Sequence, residues 1–151
     1  MQEPVHIKHY SHPYFDQVFL LLTKLFDKSP ITELRLMIED AANSDSHLIK
    51  IALNSNDQVI GFALASIRSD YVEGAKQSPT GYLEAIYIEE AYRKLGIART
   101  FIEKIEAWAT EKGCVQLGSD TWLTDTQSRN FHKKVGFWEE DELVHFLKDI
   151  K

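Results

Sequence analysis

Between a β-rich run ending at Ile88 and a helical run beginning near Leu95 lies Arg93-Lys94-Leu95-Gly96-Ile97-Ala98, a stretch whose residue types and spacing suit an anion. A helix N-terminus offers unpaired backbone N–H groups and partial positive charge. Gly96 removes a side chain that would block close approach, and Arg93 and Lys94 add full charges. A pyrophosphate fits such a cradle. Taken alone, R-x-x-G-x-A recurs by chance, and an ordinary strand-to-helix turn with two solvated basic residues explains it equally well. Its meaning comes from the strand before it and the long amphipathic helix after it. Cys114 is the only cysteine, which excludes an intrachain disulfide. The six histidines show neither C-x-x-C nor H-x-x-x-H spacing, so no metal site is expected.

The elements that position this turn follow from hydrophobic periodicity. Tyr14, Val18, Leu21, Leu22 and Leu25 predict a helix from Pro13 to Phe26, stopped by Ser29-Pro30. Leu34, Met37, Ile38 and Ala41 predict a second from Thr32, read as its N-cap, to Ala42. Leu48–Leu53 and Val59–Ile67 flank the turn formers Asn54-Ser55-Asn56-Asp57 and read as an antiparallel hairpin. Ser69 to Thr80 is a long aperiodic connection of the kind that often helps form a site. Gly81–Ile88 returns to strand character. Ala98, Phe101, Ile102, Ile105, Trp108 and Ala109 then make a helix closed by Gly113. Val115–Ser119 is a short strand, Thr126–Val135 a short helix, and Phe137–Glu140 with Leu143–Leu147 read as two closing strands. This order predicts a mixed α/β (α+β) sheet with helices on both faces.

With 151 residues, 44% of them apolar, and no composition break, a single domain over 1–151 is expected. The longest apolar run, Val18 to Leu22, falls far below the roughly 20 residues needed to cross a bilayer. No signal-peptide pattern opens the chain. A soluble cytoplasmic protein is the expectation, with no membrane partner. A net charge of −6, without a clustered basic face, argues against nucleic acid. An acidic chain suits a cationic partner, although plain solubility accounts for the charge as well.

Ile86-Tyr87-Ile88, Glu89-Glu90, Tyr92 through Ala98 and, downstream, Phe131-His132-Lys133-Lys134-Val135-Gly136-Phe137 resemble the acetyl-CoA-binding core of GNAT acetyltransferases. Within that superfamily, Ser66-Ile67-Arg68, Asp70 through Gly74, Ser78 through Glu84, Glu106 through Ala109 and Ser119-Asp120 are similar to compact aminoglycoside 6′-N-acetyltransferases. The resemblance runs from about Ala63 to Ile150 and is weaker before it. It implies a mostly antiparallel sheet with a splayed central strand pair and acetyl-CoA as co-substrate. The pantetheine arm would pair with Ile86, Tyr87 and Ile88, and the pyrophosphate would lie over Arg93, Lys94, Leu95, Gly96, Ile97 and Ala98. A backbone N–H near Ile88 would polarise the thioester oxygen. A homodimer, with C-terminal strands contributing to the partner's site, is implied too, as is a role in antibiotic resistance.

The same resemblance assigns side chains to an amine acceptor. An alkyl ammonium with a pKa of about 10.4 must lose a proton before it attacks a thioester. Glu84 and Asp120 stand on the two strands of the implied splay, where both could hold the ammonium and take that proton. Tyr71 matches an aromatic that packs on sugar rings, and Asp141 matches an acid near the outer amines. Glu73, Glu139, Glu140 and Glu142 read as a solvated acidic face. Three residues depart from the family pattern: Phe26 stands at a stacking tryptophan, Asp125 at an asparagine that contacts the pantetheine amides, and His145 at a tyrosine. His132 takes the place of the tyrosine that protonates the departing thiolate, and a packed helix histidine is the alternative. Cys114 has no evident histidine or acid partner, so direct transfer in a ternary complex is expected rather than an acetyl-enzyme. Acetylation of another small amine, or acyl-CoA binding without turnover, are the remaining readings.

Overall fold

A computed structural model describes residues 4–150. The elements are β1 (His6–His9), α1 (Phe15–Leu25), α2 (Ile31–Ala42), β2 (His47–Leu53), β3 (Val59–Arg68), β4 (Thr80–Ile88), α3 (Ile97–Glu111), β5 (Leu117–Ser119) and α4 (Thr126–Lys134). Five strands form one sheet in the order β1-β2-β3-β4-β5. The first four pair antiparallel and β4 pairs β5 in parallel. A parallel pair needs a crossover, and α3 supplies it.

Alternation along the strands splits the core between the two faces. Ile49, Ile51, Phe62 and Leu64 pack with Val18, Leu22, Leu34 and Ile38 of α1 and α2. Ala52, Ile60, Ala63 and Leu83 pack with Ile97, Phe101, Ile102 and Ile105 of α3. Because a strand's side chains alternate and both faces are covered, β3 reads as a nearly unbroken apolar run.

Two expectations are corrected and one strand is added. The strands expected at Phe137–Glu140 and Leu143–Leu147 do not form: residues 138–150 are irregular and exposed. A strand needs an edge to pair with, and β5, at three residues, offers too short a one within the chain. The helix α2 begins at Ile31 with Pro30 at its N-cap position, so Thr32 sits inside the first turn and caps nothing. Strand β1 had no counterpart in the sequence reading, because four edge residues carry too little alternation to stand out, although Val5 and Ile7 pack against the α3 side of the core.

Candidate active site

Strand β4 is where the sheet opens. Its parallel pairing with β5 covers Gly81, Tyr82 and Leu83 and stops at Ser119, while β4 runs on to Ile88. Against β3, Leu64 pairs with Ala85 but Ala65 pairs with Leu83, so Glu84 is an extra residue on a β-bulge. The bulge changes the parity of the strand. Gly81 donates its N–H to Gln116 on the β5 side, whereas farther along Glu89 donates to Ile60 on the β3 side. By strand alternation the N–H groups of Ile86 and Ile88 therefore face the gap beyond Ser119. This edge has no strand partner among the described residues.

At the end of β4, the turn into α3 is built by backbone conformation. Gly96 takes φ +84 and Lys94 φ +65, both left-handed. Nothing lies within 4 Å of where a Cβ on Gly96 would be, so its surroundings are open. No side chain caps α3, which leaves the N–H groups of Ile97, Ala98 and Arg99 open at its positive end. These features fit an anionic pyrophosphate. Arg93 also has a partner that the sequence reading did not name. Its Nε donates to the Ile88 carbonyl at 2.7 Å and its guanidinium lies 5.4 Å from the centre of the Tyr87 ring, so it staples the turn to β4. Lys94 remains exposed, without a partner among the described residues.

On the α2 side of the sheet, side chains form a continuous network. The Ser66 hydroxyl donates to Glu84 Oε2 at 2.5 Å, and Arg68 donates from Nη2 to Glu84 Oε1 at 2.8 Å and from Nε to Oε2 at 3.2 Å. The Arg68 guanidinium lies 3.4 Å from the Tyr82 ring centre. The Tyr82 hydroxyl in turn donates to Asp120 Oδ2. Burial first, and then this hydrogen bond and the Asp120 charge, push the Tyr82 phenol well above its ordinary range, so it stays a donor. Asp120 leads out of β5 into the loop that follows, and its Oδ1 has no partner among the described residues. Thus Glu84 and Asp120 belong to one network, in which Glu84 is already paired with a cation and Asp120 is not. The sequence reading gave no role to Ser66, Arg68 or Tyr82. Its available signal was Ser66 and Arg68 two apart on one face of β3, facing Tyr82 and Thr80 in register.

The other expected residues are distributed around these two features. His132 lies across the gap on α4, with Nδ1 2.7 Å from the Ser128 carbonyl and Nε2 2.7 Å from Ser119 Oγ. A carbonyl only accepts, so Nδ1 carries the hydrogen, and Nε2 of the neutral ring accepts from Ser119. Asp125 caps α4, accepting the Ser128 N–H at 2.9 Å, which gives it a structural task the sequence reading did not foresee. Phe26 ends α1, half-buried against the core on the α2 side. Tyr71 is 76% exposed on the long loop, and Gly74 of that loop touches Glu140. Asp141 is exposed with Glu139, Glu140 and Glu142 around a cavity that Arg129 closes. Lys133 and Arg129 hydrogen-bond Glu139 and hold its carboxyl below the usual range. Cys114 is buried, and burial pushes its thiol up, away from nucleophilic use. Among the described residues no three His, Cys, Asp or Glu side chains group as a metal site, and no helix is long and apolar enough to cross a membrane.

A strand opened by a bulge leads through a glycine turn into an uncapped helix, and the sequence profile of the Acetyltransferase (GNAT) family matches residues 13–137. The chain belongs to that family. It is 35% identical over 130 residues to aminoglycoside N(6′)-acetyltransferase type 1 of Acinetobacter haemolyticus, covering 86% of this chain and 88% of the relative. The structure superposes on aminoglycoside N-acetyltransferase AAC(6′)-Iy in complex with CoA with a TM-score of 0.90 at 29% identity, covering 99% of this chain and 98% of that one. AAC(6′)-Iy in complex with the bisubstrate analog CoA-S-monomethyl-acetylneamine gives a TM-score of 0.88 at 30% identity, covering 97% and 99%.

Proposed function

We propose that this chain is an acetyl-CoA-dependent N-acetyltransferase that acetylates the 6′-amine of aminoglycosides by direct transfer in a ternary complex. The observation that carries the reading is the unpaired Oδ1 of Asp120, at the mouth of a gap whose β4 edge presents the Ile86 and Ile88 N–H groups. Acetyl-CoA supplies the activated acetyl group as a thioester. Gly96, Ile97 and Ala98 hold its pyrophosphate with backbone N–H groups beside Lys94, while Leu95 keeps the turn's backbone in place. Ile86, Tyr87 and Ile88 take the pantetheine arm along the open strand edge, and the Ile88 N–H polarises the thioester oxygen.

Asp120 binds the acceptor ammonium through its free oxygen and removes a proton directly or through water. Tyr82 fixes that carboxylate from its other oxygen. Glu84, neutralised by Arg68, contributes position and hydrogen-bond acceptance rather than free charge. His132, when protonated, donates from Nε2 to Ser119 and frees the Ser119 hydroxyl to donate toward the leaving thiolate. Asp125, already the cap of α4, steadies the helix that carries His132. Phe26, Tyr71 and Asp141 frame the acceptor's outer rings, with the two aromatics stacking on sugar and Asp141 facing a cation.

The exposed tail belongs to the same reading. Leu143 and Leu147 are each 91% exposed and Phe146 is 83% exposed. Such a run pairs with a second copy of the chain, which makes a homodimer. The lone, buried Cys114 suits a reducing cytoplasm. Phe26 in place of a tryptophan, which removes an indole N–H, favours a second reading in which another small amine is the acceptor.

Thiol release from acetyl-CoA with neomycin, compared with paromomycin, which carries a 6′-hydroxyl, tests the assignment. Turnover of neomycin alone is expected. Equal turnover of both moves the reaction to another amine, and turnover of neither, with a polyamine accepted, establishes the second reading.

A further inference from the structure

A cavity of about 300 Å³ lies between α2 and the sheet, lined by Met37, Asp40, His47, Leu64 and Glu84. One wall, Glu84, belongs to the network that leads to Asp120. The floor is apolar, with Leu64 fully buried and Met37 half-buried, as suits the face of a sugar ring. The opposite wall is polar and opens to solvent, with Asp40 exposed and His47 half-buried. The Asp40 carboxylate has no hydrogen-bond or ion-pair partner among the described residues. His47 is held by its Nδ1, 2.9 Å from Ser44 Oγ, which leaves Nε2 without a partner among the described residues.

A second feature points to a cation. Asp40 lies in the last turn of α2, where carbonyl groups make the helix end negative and a basic side chain is the usual complement. That last turn contains no basic residue, and it carries Glu39 and Asp40 instead. Arg68 already neutralises Glu84, so Asp40 is the uncompensated charge of the cavity. A carboxylate set against the negative end of a helix dipole is unfavourable alone and is relieved by a bound cation.

We propose that this cavity is a subsite for a second, non-reacting ammonium of the acceptor, with Asp40 taking the ammonium, His47 a ring hydroxyl, and Leu64 with Met37 the ring face. The inference rests on the polycationic acceptor proposed above and adds the residues that select it. It accounts for binding rather than chemistry, since neither Asp40 nor His47 belongs to the Glu84–Asp120 network.

Steady-state kinetics of the full chain with neomycin and acetyl-CoA test it through Asp40→Asn, with Asp40→Glu as the conservative control. Asp40→Asn is expected to raise the neomycin KM about tenfold, equivalent to about 1.4 kcal/mol, while kcat and the acetyl-CoA KM stay within about twofold and Asp40→Glu restores most of the loss. An unchanged neomycin KM in a wild-type-active enzyme overturns the subsite and leaves the acceptor reading intact. The His47 imidazole signals in NMR give a readout independent of turnover. A saturable shift on adding neomycin without acetyl-CoA, weakened in Asp40→Asn, supports the subsite even if no aminoglycoside is turned over. Unmoved His47 signals at saturating neomycin overturn it.

Discussion

On the α2 side of the gap beside β4, the polar groups are side chains held by other side chains: Ser66 and Arg68 hold Glu84, and Tyr82 holds Asp120. At the start of α3 the groups are backbone, shaped by two left-handed residues and left open by an uncapped helix. The first region encodes its task in residue identity, and the second encodes it in conformation. A side-chain network can be retuned one residue at a time, so it suits the recognition of a variable amine. A backbone cradle is nearly blind to substitution except where the conformation itself demands glycine, so it suits a co-substrate that never changes.

That contrast breaks most readily at Asp120. Asp120→Asn is expected to lower kcat by about 10²-fold or more, the usual worth of a positioned general base, with the acetyl-CoA KM unchanged in initial-rate measurements. A comparable loss of acetyl-CoA affinity would show that the two regions are not separate. Gly96→Val probes the other region. Forcing a branched side chain into φ +84 costs roughly 1–2 kcal/mol of stability. It also raises the acetyl-CoA Kd by about tenfold, measurable by calorimetry, while the acceptor KM holds.

Arg68→Gln sharpens the comparison within the side-chain region. It unties Glu84 and removes the stack on Tyr82, and kcat/KM for the acceptor is expected to fall about tenfold, as when a charge-assisted hydrogen-bonded pair loses one member. The smallest expected effect is His132→Ala, about threefold on kcat because the thiolate leaves readily. Single-turnover acetyl transfer by the variant checks it, and an unchanged rate removes the ring from the reaction. Tyr82 supplies a control on stability. Its phenol is raised above the ordinary 10.0 in the folded protein. Its contribution is therefore fully present below that ordinary value and is lost as pH climbs beyond it toward the folded value. Denaturant titrations should show the wild type losing this increment in strong alkali and Tyr82→Phe lacking that loss.

Much of the fold was legible because it depends on local patterns. Period-3.6 stripes located α1, α2 and α3, and the turn formers Asn54 to Asp57 located the β2–β3 hairpin. The glycine turn could be read because Gly96 marks a conformation that few other residues adopt. Less legible were features that one chain segment cannot encode alone. The tail from Leu143 to Leu147 has the composition of a strand, but a strand forms only against an edge long enough to pair with, and β5 offers three residues.

By itself, then, the sequence determined the order of elements from α1 through α4, the covering of both sheet faces and the glycine turn into α3, because period and backbone preference act over a few residues. Only the tertiary structure decided that Arg68 neutralises Glu84 while Asp120 keeps a free oxygen, and that Arg93 serves Ile88. It alone brought Asp40 and His47 around the same cavity as Glu84. Those outcomes depend on which side chains meet across separate strands and helices, and a one-residue bulge at Glu84 is enough to change the answer.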